Sequence, residues 1–532
     1  MSGVDGVSGV AAPRHALTGE RLADRVADWP VLLPVLTGAL VLLVGVFAMD
    51  GVPVGAVHDD AMYVLLAKAL ATGHGYRWIN VPGAPAATHF PPGYPALLAL
   101  VWRLVPSFPE NVIAFKFVNA LLLALAAATL THFARRRLNF SARAACAVVL
   151  AGALAVPTLV LSTVVMSEMF FLALLIPALW LAERVVDDDS STRDAVVVGL
   201  LAGMLMLVRS HGVAFVVGLG AVLAWRSRWR TLAIVAATSL ATVLPWQLWV
   251  RAHRGGVPVA MRGDYESYAG WLSAGAHDGW FALAARTVAG TSRELFAMIA
   301  GVSAAGLPAI ALRVAVATVV VVAFAFGLWR LRRSSPVLVA FIAAYLSIVL
   351  LWPFTPARFV WGVWPLIVLV VACAARDAWS LPRARLGVAS AGIIVLAGYA
   401  TYNVRGYRGR WWSAIPRQTA GLVGPSLMWV QAYTKPSDVV SSNAEATIYL
   451  YTGRAAVPAT SFSVADYFTP ATARSAEAAL RSILVAYPVG VVAIVANDSL
   501  EAAARAMAAA APPVLAKRDS VPHGLIYSSL VR

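Results

Sequence analysis

The stretch VLLPVLTGALVLLVGVFAMDGVPVGAVHDDAMY, residues 31–63, decides the fold, because an apolar run leads directly into the adjacent carboxylates Asp59 and Asp60. The run at 31–49 has the length of a membrane-spanning helix. An acidic pair beside such a span is costly to desolvate, so it usually marks chemistry or ion handling. We therefore expect a polytopic α-helical membrane protein with a functional site in the loop after its first span.

The composition of the whole chain is that of an integral membrane protein. Of its 532 residues, 60% are hydrophobic and only 13% are charged, and the mean hydropathy is +0.75. A soluble chain would carry roughly 25% charged residues. The apolar stretches are about 15–25 residues long, which indicates helices rather than barrel strands. We predict eleven spans, near residues 31–49, 111–134, 142–162, 168–184, 195–208, 212–225, 231–250, 314–331, 336–352, 359–375 and 386–403.

The formal net charge of +16 comes largely from arginines between the predicted spans. They cluster at 135–143, 226–230, 330–333 and 376–385, as the positive-inside rule expects of cytoplasmic loops. The charge therefore indicates topology rather than nucleic-acid binding. With eleven spans, the N-terminus is predicted to be cytoplasmic and the C-terminus extracytoplasmic, in a bacterial inner (plasma) membrane.

The N-terminal segment and the two cysteines give two further predictions. Residues 1–29 are polar and lack a short apolar segment with a cleavage site, so they are predicted to form an uncleaved cytoplasmic tail. Cys146 and Cys373 both lie in or near apolar runs and provide no disulfide framework.

Three regions outside the spans are predicted to lie on the outer face. The first covers about 50–110 and includes the apolar segment 93–106, which is too short to span easily and fits an interfacial helix. The second covers about 251–306. The third, 404–532, follows the transmembrane domain at 30–403 and is predicted to be an α/β domain. Its pattern indicates buried strands at 439–440 and 490–495 and Ala-rich helices at 473–486 and 499–511. Gly453 fits the C-cap of a helix.

Three carboxylates at the outer ends of spans are candidate acid–base groups. Asp59 and Asp60 precede Tyr63, and Glu168 begins the span at 168–184. A general base must hold a carboxylate where it can accept a proton from an acceptor hydroxyl. Two neighbouring carboxylates can divide into a base and a partner that orients the acceptor or binds a metal. Helix capping is the alternative for each of these residues taken alone.

Basic side chains on the same face are candidates for binding an anion. Arg209 and His211 lie between two short segments, which span the membrane or form a re-entrant pair, and Arg358 precedes the late span at 359–375. The positive-inside rule predicts few arginines there. The planar guanidinium fork suits phosphate. Snorkelling, or pairing with an interfacial carboxylate, is the alternative.

Three histidines share the first outer region. His58, His74 and His89 are spaced unlike any compact zinc motif. His58 is the best candidate of the three for an active site, because it adjoins the acidic pair.

In their order and membrane side, these motifs resemble those of the GT-C glycosyltransferases, in the branch that contains the protein O-mannosyltransferases and the aminoarabinose transferase of lipid A. The first outer region carries the closest likeness, in Asp59-Asp60-Ala61-Met62-Tyr63 and His89-Phe90-Pro91-Pro92-Gly93-Tyr94-Pro95. That branch has Glu where this chain has Asp60. Three later segments also resemble parts of those proteins. Ser167–Phe171 is similar to the acidic start of a later helix, Arg358-Phe359 to an Arg-Tyr segment before a late span, and 441–454 to the opening of an outer α/β domain.

The resemblance implies a transferase that moves a hexosyl or pentosyl group from a polyprenyl-phosphate donor to an acceptor hydroxyl on the outer face, with inversion. The acceptor could be a glycan, a lipid or a protein, and Mg²⁺ or Mn²⁺ could be a cofactor. Carried onto this chain, the resemblance gives Asp59 as general base with Asp60 beside it, Glu168 and His58 as acceptor-orienting or metal-binding groups, and Arg209, His211 and Arg358 as ligands of the donor phosphate.

Two other classes of function remain open at this point. A transporter or lipid flippase would use intramembrane charges for coupling, but the notable acids cluster at the outer boundary. A membrane protein that binds glycans without catalysis would also fit the sequence.

Overall fold

A computed structural model of the chain, which describes residues 31–51, 53–187 and 191–531, consists mainly of apolar helices with a small sheet near the C-terminus. The predicted tail at 1–29 lies outside the described residues. Each predicted span corresponds to one helix or to a broken pair: Leu32–Ala48, Val112–Arg136, Ala142–Ala153 with Val156–Thr163, Glu168–Asp187, Thr192–Val208, Val213–Trp225, Trp229–Ala252, Ile310–Leu331, Pro336–Leu351, Ala357–Gly362 with Trp364–Trp379, and Arg385–Gly409.

The lengths of these helices bear on how many cross the membrane. Within the described residues, 5 helices are long and apolar enough to span alone, and a bent pair at Ala142–Thr163 could make 6. The pair bends by 58° just before Pro157, whose ring cannot continue the preceding turn. Three further apolar segments are shorter, at Leu32–Ala48, Ser210–Trp225 and Pro336–Leu351. The predicted fold class is confirmed, whereas the count of eleven spans stays a prediction.

The first outer region folds around two helices. Asp59–Ala71 is buried over most of its surface. Gly93–Leu104 is the helix predicted for the interface, and it carries exposed leucines at 100 and 104 on the side away from the protein core.

The second outer region contains a long helix that was not predicted. After the short elements Val259–Met261, Arg262–Tyr265 and Tyr268–Gly275, the helix Trp280–Ser303 runs for 24 residues. Arg286, Arg293 and Glu294 interrupt its apolar residues, so hydropathy alone does not reveal it. It is amphipathic, and it presents buried threonines to its neighbours.

The chain then forms the predicted α/β domain. The last long helix, Arg385–Gly409, runs past the expected end at 403, and Ala414–Tyr433 leads into a five-stranded sheet. The strands are β1 Val439–Ser442, β2 Ala456–Pro458, β3 Val489–Val495, β4 Leu515–Val521 and β5 Gly524–Ser529. They lie in the order β2-β1-β3-β5-β4; β2, β1 and β3 are parallel, and β5 is antiparallel to both β3 and β4. The helices of the domain are Glu445–Thr452, Ala465–Phe468, Ala473–Ala486 and Asp498–Ala509.

The predictions for this domain hold for β1 and β3 but miss β2, which is buried and only 3 residues long. β1 and β3 contain the two predicted strands, and Gly453 ends a helix with a φ of +73°. The β4–β5 hairpin was missed because β4 is largely exposed and polar, with Lys517, Arg518 and Asp519 in sequence. An exposed edge strand lacks the apolar signal on which the prediction depended.

The outer regions and the α/β domain pack directly on one another. The Trp78 indole Nε1–H donates to the Tyr265 carbonyl at 3.1 Å. The backbone N–H of Ala456 in β2 donates to the Asn80 carbonyl at 2.7 Å, and the Asn80 side chain donates back to the Ala456 carbonyl at 3.0 Å. These contacts bring residues from all three regions to one face of the membrane helices.

Candidate active site beneath the α/β domain

A cavity of about 1190 Å³ lies where the three outer regions meet the ends of the membrane helices. Its walls come from the first region, the helix breaks near Arg209 and Arg358, the segment 259–271 and the α/β domain. Of the seven residues singled out in the sequence, five line the cavity: His58, Asp59, Arg209, His211 and Arg358.

An ion-pair network joins four charged side chains at the inner end of the cavity. The Arg358 guanidinium donates through Nη1 to Asp59 Oδ2 at 2.6 Å and through Nε to Glu168 Oε1 at 2.5 Å. Arg209 Nη1 lies 2.7 Å from the same Glu168 oxygen. Residues separated by up to 299 positions along the chain therefore meet at one place.

Local backbone geometry explains why these side chains meet. Glu168 is the first residue of a helix, and Arg209 leaves the preceding helix in an extended conformation. The short helix Ala357–Gly362 carries Arg358 against Glu168, and a Cβ at Gly362 would lie only 3.1 Å from Glu168 Cγ. The glycine thus permits the approach.

Several cavity N–H groups next to this network have no protein partner. Among the described residues, Arg358 Nη2 and Arg209 Nη2 donate no hydrogen bond. His211 Nε2 is buried without a partner, while its ring stacks on Phe359 at a centroid distance of 4.6 Å. Buried polar atoms are normally hydrogen-bonded, so an unpartnered imidazole nitrogen beside two guanidinium groups points to a ligand.

Asp59 is the accessible carboxylate of the network. Its side chain is 22% exposed, against 2% for Glu168. Within the described residues, its only hydrogen bond comes from Arg358, which leaves Oδ1 open to the cavity.

Asp60 does not share this position, although the sequence analysis paired it with Asp59. It does not line the cavity, and its carboxylate accepts backbone N–H bonds from Gly55, Ala56, Val57 and Ala61 at 2.9–3.2 Å. Successive helix residues are rotated by about 100°, so neighbours in sequence face different directions. Asp60 is therefore a positioning residue for the loop that carries His58.

Replacing Asp60 with Ala should unfold the protein at a lower temperature. The substitution leaves four backbone N–H groups without their acceptor, and each unsatisfied buried donor costs about 1–3 kcal/mol. Thermal unfolding of the purified protein measures this. Asp438→Ala is the control, because that surface carboxylate accepts a bond from the Lys435 N–H alone; equal melting temperatures for the two variants would contradict the role.

The three histidines of the first region have different surroundings. His58 lines the cavity with a positive φ of 60° and a ψ of −62°, and its Nε2 is buried without a partner. Burial lowers its pKa, but Glu445, Asp264 and Asp59 outweigh this and leave the pKa raised. His89 bonds the Glu266 carbonyl at 2.6 Å, and burial lowers its pKa to about 4. His74 bonds Thr72 on the exposed surface.

Several cavity residues were not singled out as site residues. Asp264, Tyr268 and Trp271 lie in the second outer region, where the sequence analysis named no candidate site residue. Glu445 follows β1 and had no local signal, because only the packing of the α/β domain brings it to the cavity.

The Mg²⁺ or Mn²⁺ considered from the sequence stays a prediction. In the described part of the chain, no three His, Cys, Asp or Glu side chains are grouped as metal ligands. Asp59 and Glu168 both pair with the Arg358 guanidinium. We assign no step to a metal.

Comparison with known proteins supports the resemblance seen in the sequence. Residues 89–249 match the family model "Dolichyl-phosphate-mannose-protein mannosyltransferase", a segment that includes Glu168, Arg209 and His211. No curated protein matches the chain in sequence.

Solved structures share the fold at low sequence identity. ArnT from Cupriavidus metallidurans bound to undecaprenyl phosphate has a TM-score of 0.55 at 15% identity, covering 96% of this chain and 98% of that chain. The apo state of the same ArnT has a TM-score of 0.56 at 13% identity, and the match covers 93% of this chain and 98% of that chain. The Archaeoglobus fulgidus oligosaccharyltransferase in complex with Zn and sulfate has a TM-score of 0.51 at 15% identity, and the match covers 86% of this chain and 67% of that chain. The family-model match over residues 89–249 and the shared fold both agree with the predicted resemblance to GT-C glycosyltransferases of the mannosyltransferase and ArnT-like branch.

Proposed function

We propose that this chain, which has the GT-C glycosyltransferase fold, transfers a hexosyl or pentosyl group from a polyprenyl-phosphate donor to an acceptor hydroxyl, with inversion at the anomeric carbon. One observation carries the proposal: an open carboxylate, Asp59, lies beside two guanidinium groups and an unpartnered imidazole in one cavity.

The inner end of the cavity suits a lipid phosphate. Arg209, Arg358 and His211 can each direct an N–H group at its oxygens, and Glu168 fixes both guanidinium groups in place. Charge-assisted bonds of this kind are the strong ones. The leaving phosphate gains negative charge in the transition state, so fixed cations stabilise that state more than the ground state.

Asp59 then acts as the general base. The acceptor hydroxyl gives its proton to Oδ1 while its oxygen attacks the anomeric carbon. The bond from that carbon to the phosphate oxygen breaks, and the polyprenyl phosphate leaves with the electron pair. Arg358 touches both the base and the expected phosphate position, so one side chain sets their relative geometry.

The site is proposed to face the outside of the plasma membrane. The α/β domain and both outer regions lie on the cavity side, whereas the arginine clusters occur at the opposite ends of the helices. The positive-inside rule places such clusters in the cytoplasm. The donor would reach the cavity from the bilayer, and a glycan, lipid or protein acceptor would reach it from the aqueous side.

The transfer assay uses the full-length protein in liposomes that contain polyprenyl-phosphate sugars. We expect release of polyprenyl phosphate and a product of opposite anomeric configuration. Retention of configuration would contradict the single displacement proposed. A flippase would move the intact donor across the bilayer without cleaving it, so that result would favour the transporter class.

His211→Phe should weaken donor use while keeping the ring that stacks on Phe359. Loss of one charge-assisted hydrogen bond, about 1.5–3 kcal/mol, corresponds to roughly a 10- to 100-fold higher KM for the donor. His132→Phe is the matched control, because His132 packs beside Trp180 and does not line the cavity. An unchanged donor KM in His211→Phe would remove this residue from the phosphate site.

A further inference from the structure

The outer end of the cavity carries three carboxylates that the proposed transfer does not use. Asp264 comes from the second outer region, and Glu445 and Asp466 come from the α/β domain. We call these three residues the acidic wall.

Glu445 is a buried carboxylate whose charge the His58 imidazole balances only in part. It is 1% exposed, and its Oε1 accepts a hydrogen bond from the Tyr265 hydroxyl at 3.0 Å. Tyr265 in turn accepts from the Asn80 amide at 2.9 Å, so the carboxylate is held in place. Across the described ranges, no Lys or Arg pairs with Glu445, and its second oxygen has no partner. A buried charge of this kind is costly unless something pairs with it.

Asp264 also lacks a partner, whereas Asp466 is partly satisfied. No hydrogen bond or ion pair to Asp264 occurs among the described residues, although it lines the cavity. Burial raises its pKa to about 7, with His58 lowering the pKa and Glu445 raising it. Asp466 accepts bonds from the Ser463 backbone N–H at 2.6 Å and hydroxyl at 2.9 Å. Asp264 and Glu445 are therefore the two wall residues free to bind a ligand.

No hydrogen bond or ion pair among the described residues joins the acidic wall to the arginine end, where Arg209 and Arg358 lie. Asp59 pairs with Arg358, and its charge also raises the pKa of Asp264. On the proposed function, the phosphate occupies the arginine end and Asp59 receives the acceptor proton. The wall then lies on the acceptor side.

We infer that the acidic wall binds a protonated amine on the acceptor substrate, through Asp264 and Glu445. Among the described residues at this end, His58 is the one cation beside the carboxylates, because burial keeps the pKa of His89 at about 4. A neutral hydroxyl could donate a hydrogen bond but would leave the buried charge uncompensated, whereas an ammonium group supplies both charge and donors. The assignment of this amine to the acceptor rests on the proposed function.

Binding of small amines to the full-length protein in nanodiscs tests the inference. The probes are glucosamine and ethanolamine, with glucose and N-acetylglucosamine as uncharged counterparts. We expect at least one amine to bind about tenfold more tightly than the uncharged sugars, which corresponds to about 1.4 kcal/mol. Binding of glucosamine alone would indicate an amino glycan, and equal binding of ethanolamine would indicate a lipid headgroup amine.

Two isosteric variants should abolish this preference. Glu445→Gln keeps a side-chain oxygen that can accept the hydrogen bond from the Tyr265 hydroxyl. Asp264→Asn removes no hydrogen bond seen among the described residues, so both variants are expected to fold. Glu501→Gln is the control, because Glu501 pairs with Arg505 on the domain surface and does not line the cavity. If neither glucosamine nor ethanolamine binds the wild type more tightly than the uncharged sugars, or if both variants keep the wild-type preference, the inference is overturned.

The transfer assay separates this inference from the proposed function. A protein that releases polyprenyl phosphate but shows no amine preference would overturn the amine site alone. A protein that binds amines but never cleaves the donor would overturn the proposed function and, with it, the assignment of the amine to an acceptor.

Discussion

Asp59→Asn should fold normally and release polyprenyl phosphate at least about a hundredfold more slowly than the wild type, because general-base catalysis contributes roughly 10²–10⁴ in rate. Asparagine keeps the side-chain shape and an oxygen that can accept from Arg358 Nη1. It cannot take the acceptor proton at neutral pH. The measurement is the initial rate of polyprenyl phosphate release at saturating donor and acceptor.

The control for Asp59→Asn is Asp278→Asn, which removes an aspartate charge from the exposed part of the second outer region. We expect it to retain the wild-type rate. Thermal unfolding of both variants checks that folding is intact. A rate for Asp59→Asn within a few-fold of wild type would remove Asp59 from the mechanism, whatever its contacts.

Arg358→Lys should lower both donor affinity and turnover by at least about tenfold each. Lysine keeps the positive charge but loses the planar fork that bonds Glu168 and Asp59 at once, so the two acids are no longer fixed relative to the phosphate. Removing a single group that stabilises transition-state charge costs about 10²–10³ in rate. Retaining the charge should recover part of that loss, which is why the expected effect is smaller than for Asp59→Asn.

The matched substitution is Arg262→Lys, at an exposed arginine in the second outer region that pairs with Glu266. It should leave the donor KM and kcat unchanged. If Arg358→Lys alters stability but neither kinetic constant, Arg358 has a structural role only.

The sequence predicted the inner end of the site because charged residues at helix ends are conspicuous in an apolar chain. Asp59, Glu168, Arg209 and Arg358 each interrupt or border a hydrophobic run, and the structure brings them into one network. Their alternative role, pairing of arginine with an interfacial carboxylate, is also seen. The two are compatible, because a paired guanidinium still has N–H groups free.

The sequence could not separate the roles of Asp59 and Asp60. Both occupy the first turn of one helix, and only the path of residues 55–57 around the Asp60 carboxylate distinguishes them. Glu445 was missed for a related reason. It reaches the cavity because the α/β domain packs on the first outer region. One hydrogen bond of that packing joins Asn80 to Ala456 in β2, which are 376 residues apart in the sequence, so no local pattern reveals the contact.

The position of the lipid phosphate tests the central claim most directly. A cryo-electron microscopy structure of the full-length protein in nanodiscs with undecaprenyl phosphate would locate it. We predict a phosphate within hydrogen-bond distance of Arg209, Arg358 and His211 Nε2, with Asp59 on its cavity side. A phosphate bound away from all three residues, with their present contacts unchanged, would contradict the account.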